Sequence, residues 1–309
     1  MSLASLFSQK GPSGFGYGST AEQVTAGLDL NGRHILITGC NSGLGLETAR
    51  VLAARGATVI GSARTVEKAR EALTPLGAKH IPVACELSDP DSVRACVATV
   101  RSLGVRLDAL IANAGIMALP NHEKLHGIEK QLFTNHVGHF LLVTGLVNTL
   151  ADDGRVVMLS SGAHNNAPEA GIELDNLSGD RNYRQWKAYG QSKLANLLFA
   201  RSLALRFAGT KRVANALHPG VIATNLGRHM STMERFALLA ASPLFMKSVG
   251  EGAATQVWAA VHPDMARVSG EYLADCNIRT SSAHGQDKAL AAGLWEATEK
   301  IVAGVGGPA

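Results

Sequence analysis

Six short runs rich in apolar and β-branched residues, His34 to Thr38, Ala57 to Ser62, His80 to Ala84, Ala109 to Ala112, Arg155 to Ser160 and Arg212 to Leu217, alternate with helical segments. Those segments begin near Gly43, Thr65, Asp89, Glu123 and Trp186. This alternation constrains the fold more than any other feature, because neighbouring parallel strands need a crossover and a helix is the usual one. It predicts an α/β chain: a single-domain, Rossmann-type, doubly wound parallel sheet of about seven strands with helices on both faces. The run at Arg155 is almost continuously apolar, as a central strand covered on both sides must be. With 309 residues, 46% of them hydrophobic, one large core is enough and a second domain is not required.

The pattern begins at Arg33. Residues 1–32, with the glycine-rich stretch GPSGFGYGST, read as an N-terminal extension on the surface, and residues 33–309 as one α/β domain. Two stretches break the alternation. Residues 165–186 carry Pro168, Gly171 and Gly179, and an insert near 225–250 follows His218-Pro219-Gly220. Long loops beyond the carboxyl ends of strands line the ligand crevice of such sheets. The insert's Leu226, Met230, Met233, Phe236, Leu239, Phe245 and Met246 suit a lid of adaptable side chains, which makes Met233 and Phe236 substrate candidates. Plain packing or a subunit contact is the competing reading. An interfacial membrane segment, with Arg228, His229 and Arg235 as flanking cations, is a third, though Pro243 breaks the stretch.

Lys and Arg total 29 against 25 Asp and Glu, and the net +4 is spread along the chain, which points to no nucleic acid and no acidic partner. Cys40, Cys85, Cys96 and Cys276 form no C-x-x-C pair, so neither a zinc site nor a disulfide framework is expected. The opening MSLASLFSQK lacks a basic start and a long apolar run, and no apolar stretch is long enough to span a bilayer. A cytoplasmic protein without membrane contact is expected, with a small-molecule substrate and room for a homo-oligomer.

The chemistry begins in Thr38-Gly39-Cys40-Asn41-Ser42-Gly43-Leu44-Gly45, which follows the first strand and opens a helix. Gly39 permits a tight turn, Gly43 lets backbone approach a pyrophosphate, and Gly45 allows close helix-to-strand packing at a helix end that favours anions. Tyr189 and Lys193 stand four apart on a predicted helix and project from one face. An ammonium beside a phenol stabilises phenolate, so a lowered tyrosine pKa and proton exchange with a substrate oxygen are expected.

The spacing T-G-x-x-x-G-x-G resembles the short-chain dehydrogenase/reductase family. Other marks of that family follow in order: Asn113-Ala114-Gly115, Asn135, Ser160-Ser161, Tyr189-Gly190-Gln191-Ser192-Lys193 and Pro219-Gly220. The likeness covers roughly residues 31 to 305. It is closer to the retinol-dehydrogenase-like branch, which includes the WW-domain-containing oxidoreductase and a chloroplast-envelope relative. That likeness rests on Ser160 to His164, Ser192 to Asn196, His218 to Gly220, Ser269 to Tyr272, Leu294 to Glu296, and the N-terminal Ser19 to Glu22 and Asp29 to Gly32. No WW module is present, so partner binding through one is not carried over.

The resemblance implies that Ser161 hydrogen-bonds the reacting oxygen and stabilises developing negative charge. It also implies that Lys193 binds the nicotinamide ribose and that Asn135 holds a water that relays protons between lysine and solvent. Cofactor contacts are implied at Gly39, Asn41, Ser42, Gly43, Leu44 and Gly45, at Leu87, and at Asn113, Ala114 and Gly115. Further contacts are implied at Tyr189, Lys193, Pro219, Gly220, Ile222 and Thr224. Glu86 stands where relatives usually place Asp, so its adenine contact departs from the pattern.

The acidic position by which NAD-preferring relatives hold the ribose 2′-hydroxyl falls on Ala63, followed by Arg64. No carboxylate is there to repel a 2′-phosphate, and Arg64 supplies charge-assisted hydrogen bonds worth about 1.5 to 3 kcal/mol each. NADP(H) is the expected cofactor. His136, His139 and His164 crowd the same segments but have no metal-binding spacing, and they read as structural or loop-bonding. The expected activity is NADP(H)-dependent interconversion of a carbonyl and an alcohol, a carbonyl reductase acting on a bulky apolar substrate, with Ser161, Tyr189, Lys193 and Asn135 as the catalytic set. Two other readings share the scaffold: reduction of a C=C bond, as protochlorophyllide reductase does, and a non-catalytic NADPH-binding sensor or scaffold.

Overall fold

The computed structural model describes residues 9–222 and 246–305. A short helix α1 (Ala21–Val24) precedes the regular alternation of β1 (His34–Thr38), α2 (Gly43–Ala54), β2 (Thr58–Ala63), α3 (Val66–Leu73), β3 (Ile81–Ala84), α4 (Pro90–Ser102) and β4 (Leu107–Ala112). A hairpin, β5 (Lys124–Leu125) and β6 (Ile128–Glu129), leads through α5 (Lys130–Leu132) and a π turn (Phe133–Val137) into α6 (Gly138–Leu146). Then come β7 (Leu150–Leu159), α7 (Gln185–Arg206), β8 (Val213–His218), α8 (Val249–Val261), β9 (Tyr272–Ala274), β10 (Asn277–Arg279), α9 (Ala283–Gln286) and α10 (Lys288–Gly304).

Eight strands form one sheet in the order β10-β9-β8-β7-β4-β1-β2-β3, every neighbouring pair parallel except β10 with β9. The doubly wound sheet expected from the sequence is present, with one more strand than expected because β10 folds back as an antiparallel edge. The turn between them places Asp275 and Cys276 at positive φ, 54° and 56°, which no β-branched run announces. The chain winds outward from β1 in one direction to β3, then resumes at β4 on the other side, and the crevice at this switch point is where such sheets bind ligands.

Alternation along the strands divides the core. Leu36, Leu110, Val156 and Met158 face one side and pack with α4, α6 and α7, while Ile35, Ile37, Ile111 and Val157 face the other and pack with α2 and α8. Where a helix was expected from Glu123, the chain makes the β5–β6 hairpin instead. His126 and Gly127 both adopt positive φ, 49° and 79°, the turn geometry that joins two antiparallel strands tightly. The helix starts only at Lys130, with the Glu129 carboxylate accepting from the Leu132 N–H at 2.8 Å.

The glycine-rich N-terminal stretch is docked. Asn277 accepts from the Ser13 N–H at 3.2 Å and donates to the Phe15 carbonyl at 3.1 Å, and a Cβ on Gly11 would meet the Asn277 side chain at 2.3 Å. Phe15 meets the His262 ring edge-on, and the Lys247 ammonium lies 4.5 Å from the Tyr17 ring centre.

Candidate functional site

Gly39 leaves β1 at φ 69°, a conformation that favours glycine. Gly45 is required sterically, since a Cβ there would stand 2.1 Å from the Gly39 carbonyl oxygen and 2.6 Å from Asn113 Nδ2. That close approach brings the start of α2 over the strand end. Ser42 occupies the N-cap of α2 without a side-chain capping bond, and Asn41 and Ser42 are exposed there. Such a helix end fits a pyrophosphate. Leu44 is half-buried above it, and its carbonyl accepts from Gln256 at 3.4 Å.

Asn113, Ala114 and Gly115 lie beside this turn. The Asn113 side chain donates to the Thr38 carbonyl at 2.8 Å, and the Asn113 and Ala114 N–H groups both donate to the Thr38 hydroxyl, at 2.9 and 3.0 Å. At Gly115 a Cβ would lie 3.0 Å from Asn135 Oδ1 and 3.5 Å from Lys193 Nζ, so the missing side chain lets this loop lie close against the π turn and α7. Ala63 is buried at the end of β2 and Arg64 is exposed just past it, ahead of the Thr65 cap of α3. Glu86 folds back on its own turn, accepting from the Ser88 hydroxyl at 2.8 Å, and Leu87 is buried in the core.

Of the serine pair ending β7, Ser160 is buried and its hydroxyl donates to the Lys193 carbonyl at 2.7 Å, pinning α7 to the sheet. Ser161 caps the following 3-10 turn, accepting from the Ala163 N–H at 3.1 Å, and hydrogen-bonds the Tyr189 phenol. The turn is braced from two sides. His164 Nδ1 bonds the Ser161 carbonyl at 2.7 Å, and His218 Nδ1 accepts from the Gly162 N–H at 3.0 Å. His164 therefore bonds the loop, as expected. The bracing by His218 was not anticipated, because nothing in its flanking sequence says which strand end it faces.

Tyr189 and Lys193 are both 4% exposed, with Lys193 Nζ 5.7 Å from the Tyr189 ring centre. The ammonium donates to the Leu159 carbonyl at 3.1 Å. Burial pushes the phenol up to about 12, only partly offset by the Ser161 bond, and pulls the ammonium down to about 8. This corrects the expectation of a lowered tyrosine pKa. Desolvation sets the direction, and the Lys193 ammonium spends its hydrogen bond on a backbone carbonyl.

Asn135 lies in the π turn, fully buried. Its Oδ1 accepts from the Ile116 N–H at 2.8 Å, and its Nδ2 donates at 2.9 Å to both the Ile116 carbonyl and Ser192 Oγ. The side chain is thus a clamp between the loop after β4 and α7, and only its main-chain carbonyl faces other partners. Thr38 and Ser192, which complete these clamps, lie within quoted motifs but carried no assigned role.

Pro219 and Gly220 follow β8, with Gly220 at φ 96° and a Cβ position 2.6 Å from Lys247 Cδ. Ile222 pairs with Lys247 in a parallel bridge. Thr224, Met233 and Phe236 lie outside the described residues, as does most of the insert. Of the remaining assigned residues, Asn135 lies in the π turn and Tyr189 and Lys193 on α7, and the others follow the carboxyl ends of β1, β2, β3, β4, β7 and β8. Among the described residues no helix is long and apolar enough to cross a membrane.

The short chain dehydrogenase family model matches residues 33–235. A chloroplastic short-chain dehydrogenase, TIC 32 A of Brassica napus, is 41% identical over 94% of this chain and 95% of its own length. Retinol dehydrogenase 12 of Mus musculus is 38% identical over 90% and 89%. Among solved structures, an uncharacterized protein from Mycobacterium Paratuberculosis superposes with TM-score 0.74 at 35% identity, covering 90% of this chain and 97% of that one. A blue fluorescent protein from a metagenomic library, in complex with NADPH, does so with TM-score 0.63 at 25% identity, covering 79% and 96%. With the glycine turn, the serine-capped strand end and the Tyr189-Lys193 helix face all in place, the chain belongs to the short-chain dehydrogenase/reductase family, in its retinol-dehydrogenase-like branch.

Proposed function

We propose that this protein is an NADP(H)-dependent oxidoreductase that interconverts a carbonyl and an alcohol on a bulky apolar substrate, with Tyr189 as the acid/base. The observation that carries the reading is the buried Tyr189-Lys193 pair with the half-buried Ser161 hydroxyl bonded to the phenol, in a chain whose glycine turn after β1 admits no Cβ at Gly45. Support for NADP(H) comes from Arg64 after Ala63 and from the NADPH complex of the metagenomic relative. Support for an apolar alcohol or carbonyl comes from the names of the retinol dehydrogenases.

Bound NADPH supplies the hydride. In the reducing direction Tyr189 must hold its proton until the substrate oxygen needs it, and a phenol pushed up to about 12 is fully protonated at neutral pH. Ser161 would hydrogen-bond the same oxygen, stabilising charge as it develops. Lys193, at about 8, is mostly cationic at pH 7 and would favour the phenolate left behind. Alcohol oxidation uses the same residues in reverse. Residues 33–309 act as one catalytic domain in this reading. Four buried free cysteines suit a reducing, cytoplasmic setting.

The test is NADPH oxidation by purified protein with retinal, steroid ketones, aromatic aldehydes and quinones. One carbonyl class should turn over, and Tyr189→Phe should lower its kcat by about a hundredfold or more while NADPH affinity stays within a few-fold. A Phe variant working at near-normal rate would remove Tyr189 from proton transfer. Tight NADPH binding with no carbonyl turned over would instead favour a binding protein.

A further inference from the structure

His139, on the first turn of α6, is completely buried and belongs to none of the roles above. Its Nε2 lies 2.9 Å from the Thr38 hydroxyl, and its Nδ1 lies 2.9 Å from the Asn135 main-chain carbonyl. Both ends fix the same tautomer. The Thr38 oxygen already accepts two N–H groups, from Asn113 and Ala114, so its single hydrogen is left to donate to Nε2. A carbonyl can only accept, so Nδ1 must carry the proton that reaches Asn135.

The bonds join into one path. It runs from the Asn113-Ala114 turn, through Thr38 and the imidazole, to the Asn135 carbonyl in the π turn. It continues from Asn135 Nδ2 to Ser192 Oγ, which donates to the Tyr189 carbonyl at 2.8 Å. A ring whose two nitrogens bond opposite partners is a rigid crossbar: His139 joins the end of β1 to the π turn, and the Asn135 side chain carries the path on to the helix bearing Tyr189 and Lys193.

We propose that His139 is a positioning residue: as the neutral Nδ1–H tautomer it holds the π turn, and through it the Tyr189-Lys193 helix, in register with the dinucleotide turn at the end of β1. This rests on the reaction proposed above, but the hydrogen-bond bridge can be tested without it. Imidazole ¹⁵N resonances of the free protein at pH 7 should show His139 as Nδ1–H. An Nε2–H tautomer would overturn the bridge whatever the protein catalyses.

The functional arm uses two cuts of the same link. Asparagine at 139 can keep the bond to Asn135 but cannot reach Thr38, so His139→Asn and Thr38→Val break the bridge from opposite sides. Each should lower kcat for the carbonyl that turns over by about tenfold or more, with NADPH affinity by nicotinamide fluorescence within about threefold. The double variant should be no slower than Thr38→Val alone, because the link is already cut. Thr38→Ser, which keeps the hydroxyl, should retain near-normal kcat. Losses that multiply in the double variant, or kcat unchanged while only melting temperature falls, would overturn the positioning role. Should His139→Asn fail to fold, His139→Gln, which keeps the Thr38 side and loses Asn135, takes its place with the same expected loss. If Tyr189→Phe were fully active, the reaction assignment would fail while the tautomer measurement still judged the bridge.

Discussion

Tyr189 and Lys193 leave one helix face as their spacing requires, yet burial moves them in opposite directions, the phenol to about 12 and the ammonium to about 8. Each is driven toward its neutral form because both side chains are buried. Arg64 is the contrasting case. It is exposed just past β2, and the role proposed for it is to hold the 2′-phosphate of NADPH. NADPH should bind at least about tenfold more tightly than NADH, and Arg64→Ala should remove most of that difference, consistent with losing one charge-assisted hydrogen bond. Fluorescence titration of both cofactors checks this, and equal affinities in the unmodified protein would refute the assignment. At this scale the placement of much of the candidate site was legible: Gly45 sits where a Cβ would collide with the Gly39 carbonyl, and the Ser161 and Tyr189 side chains hydrogen-bond each other. The roles of Ser160, Thr38 and Ser192 were not legible, since a hydroxyl's partner depends on which distant backbone comes within 3 Å.

Strands and crossover helices were legible from apolar periodicity, and their observed limits lie within a few residues of the expected ones for most elements. The failures share a cause. The β5–β6 hairpin and the β9–β10 pair are too short to show a period, and both depend on non-glycine residues held at positive φ. The N-terminal stretch likewise owes its place to tertiary partners. Lys247 is 1% exposed at its side chain, lies under Gly220 and against Tyr17, and pairs with Asp275 at 2.7 Å. Lys247 is the buried member and Asp275 keeps 24% of its side chain exposed, so the carboxylate left by Lys247→Met stays partly hydrated and the loss in urea unfolding should be about 2 kcal/mol. Adding Asp275→Asn should recover a good part of the loss, whereas an unchanged urea midpoint in Lys247→Met would show that the ion pair holds nothing in place.

Across the whole molecule, the two-sided core leaves several histidines in dry surroundings. Burial lowers His136 to about 3 and both His139 and His218 to about 4. Their unfolded pKa is near ~6.5, so below that value the unfolded chain binds protons that the folded chain refuses. The stability they contribute is present above pH ~6.5 and is lost as pH falls toward their folded values, about 2 kcal/mol per histidine between pH 7 and pH 5. Glu129, whose carboxyl burial pushes up, acts in the opposite sense. The urea midpoint should therefore drop clearly from pH 7 to pH 5, and a midpoint that stayed level would mean these rings are solvated or become protonated in the fold.

The sequence by itself determined the doubly wound architecture, the glycine turn after β1 and the alignment of Tyr189 with Lys193, because period, steric exclusion and four-residue spacing are properties of short stretches. Only the tertiary structure decided which way that pair titrates, which tautomer His139 must adopt, and that Lys247 is buried on the N-terminal stretch. Desolvation and long-range hydrogen bonds belong to the company a residue keeps after folding, and no local pattern encodes it.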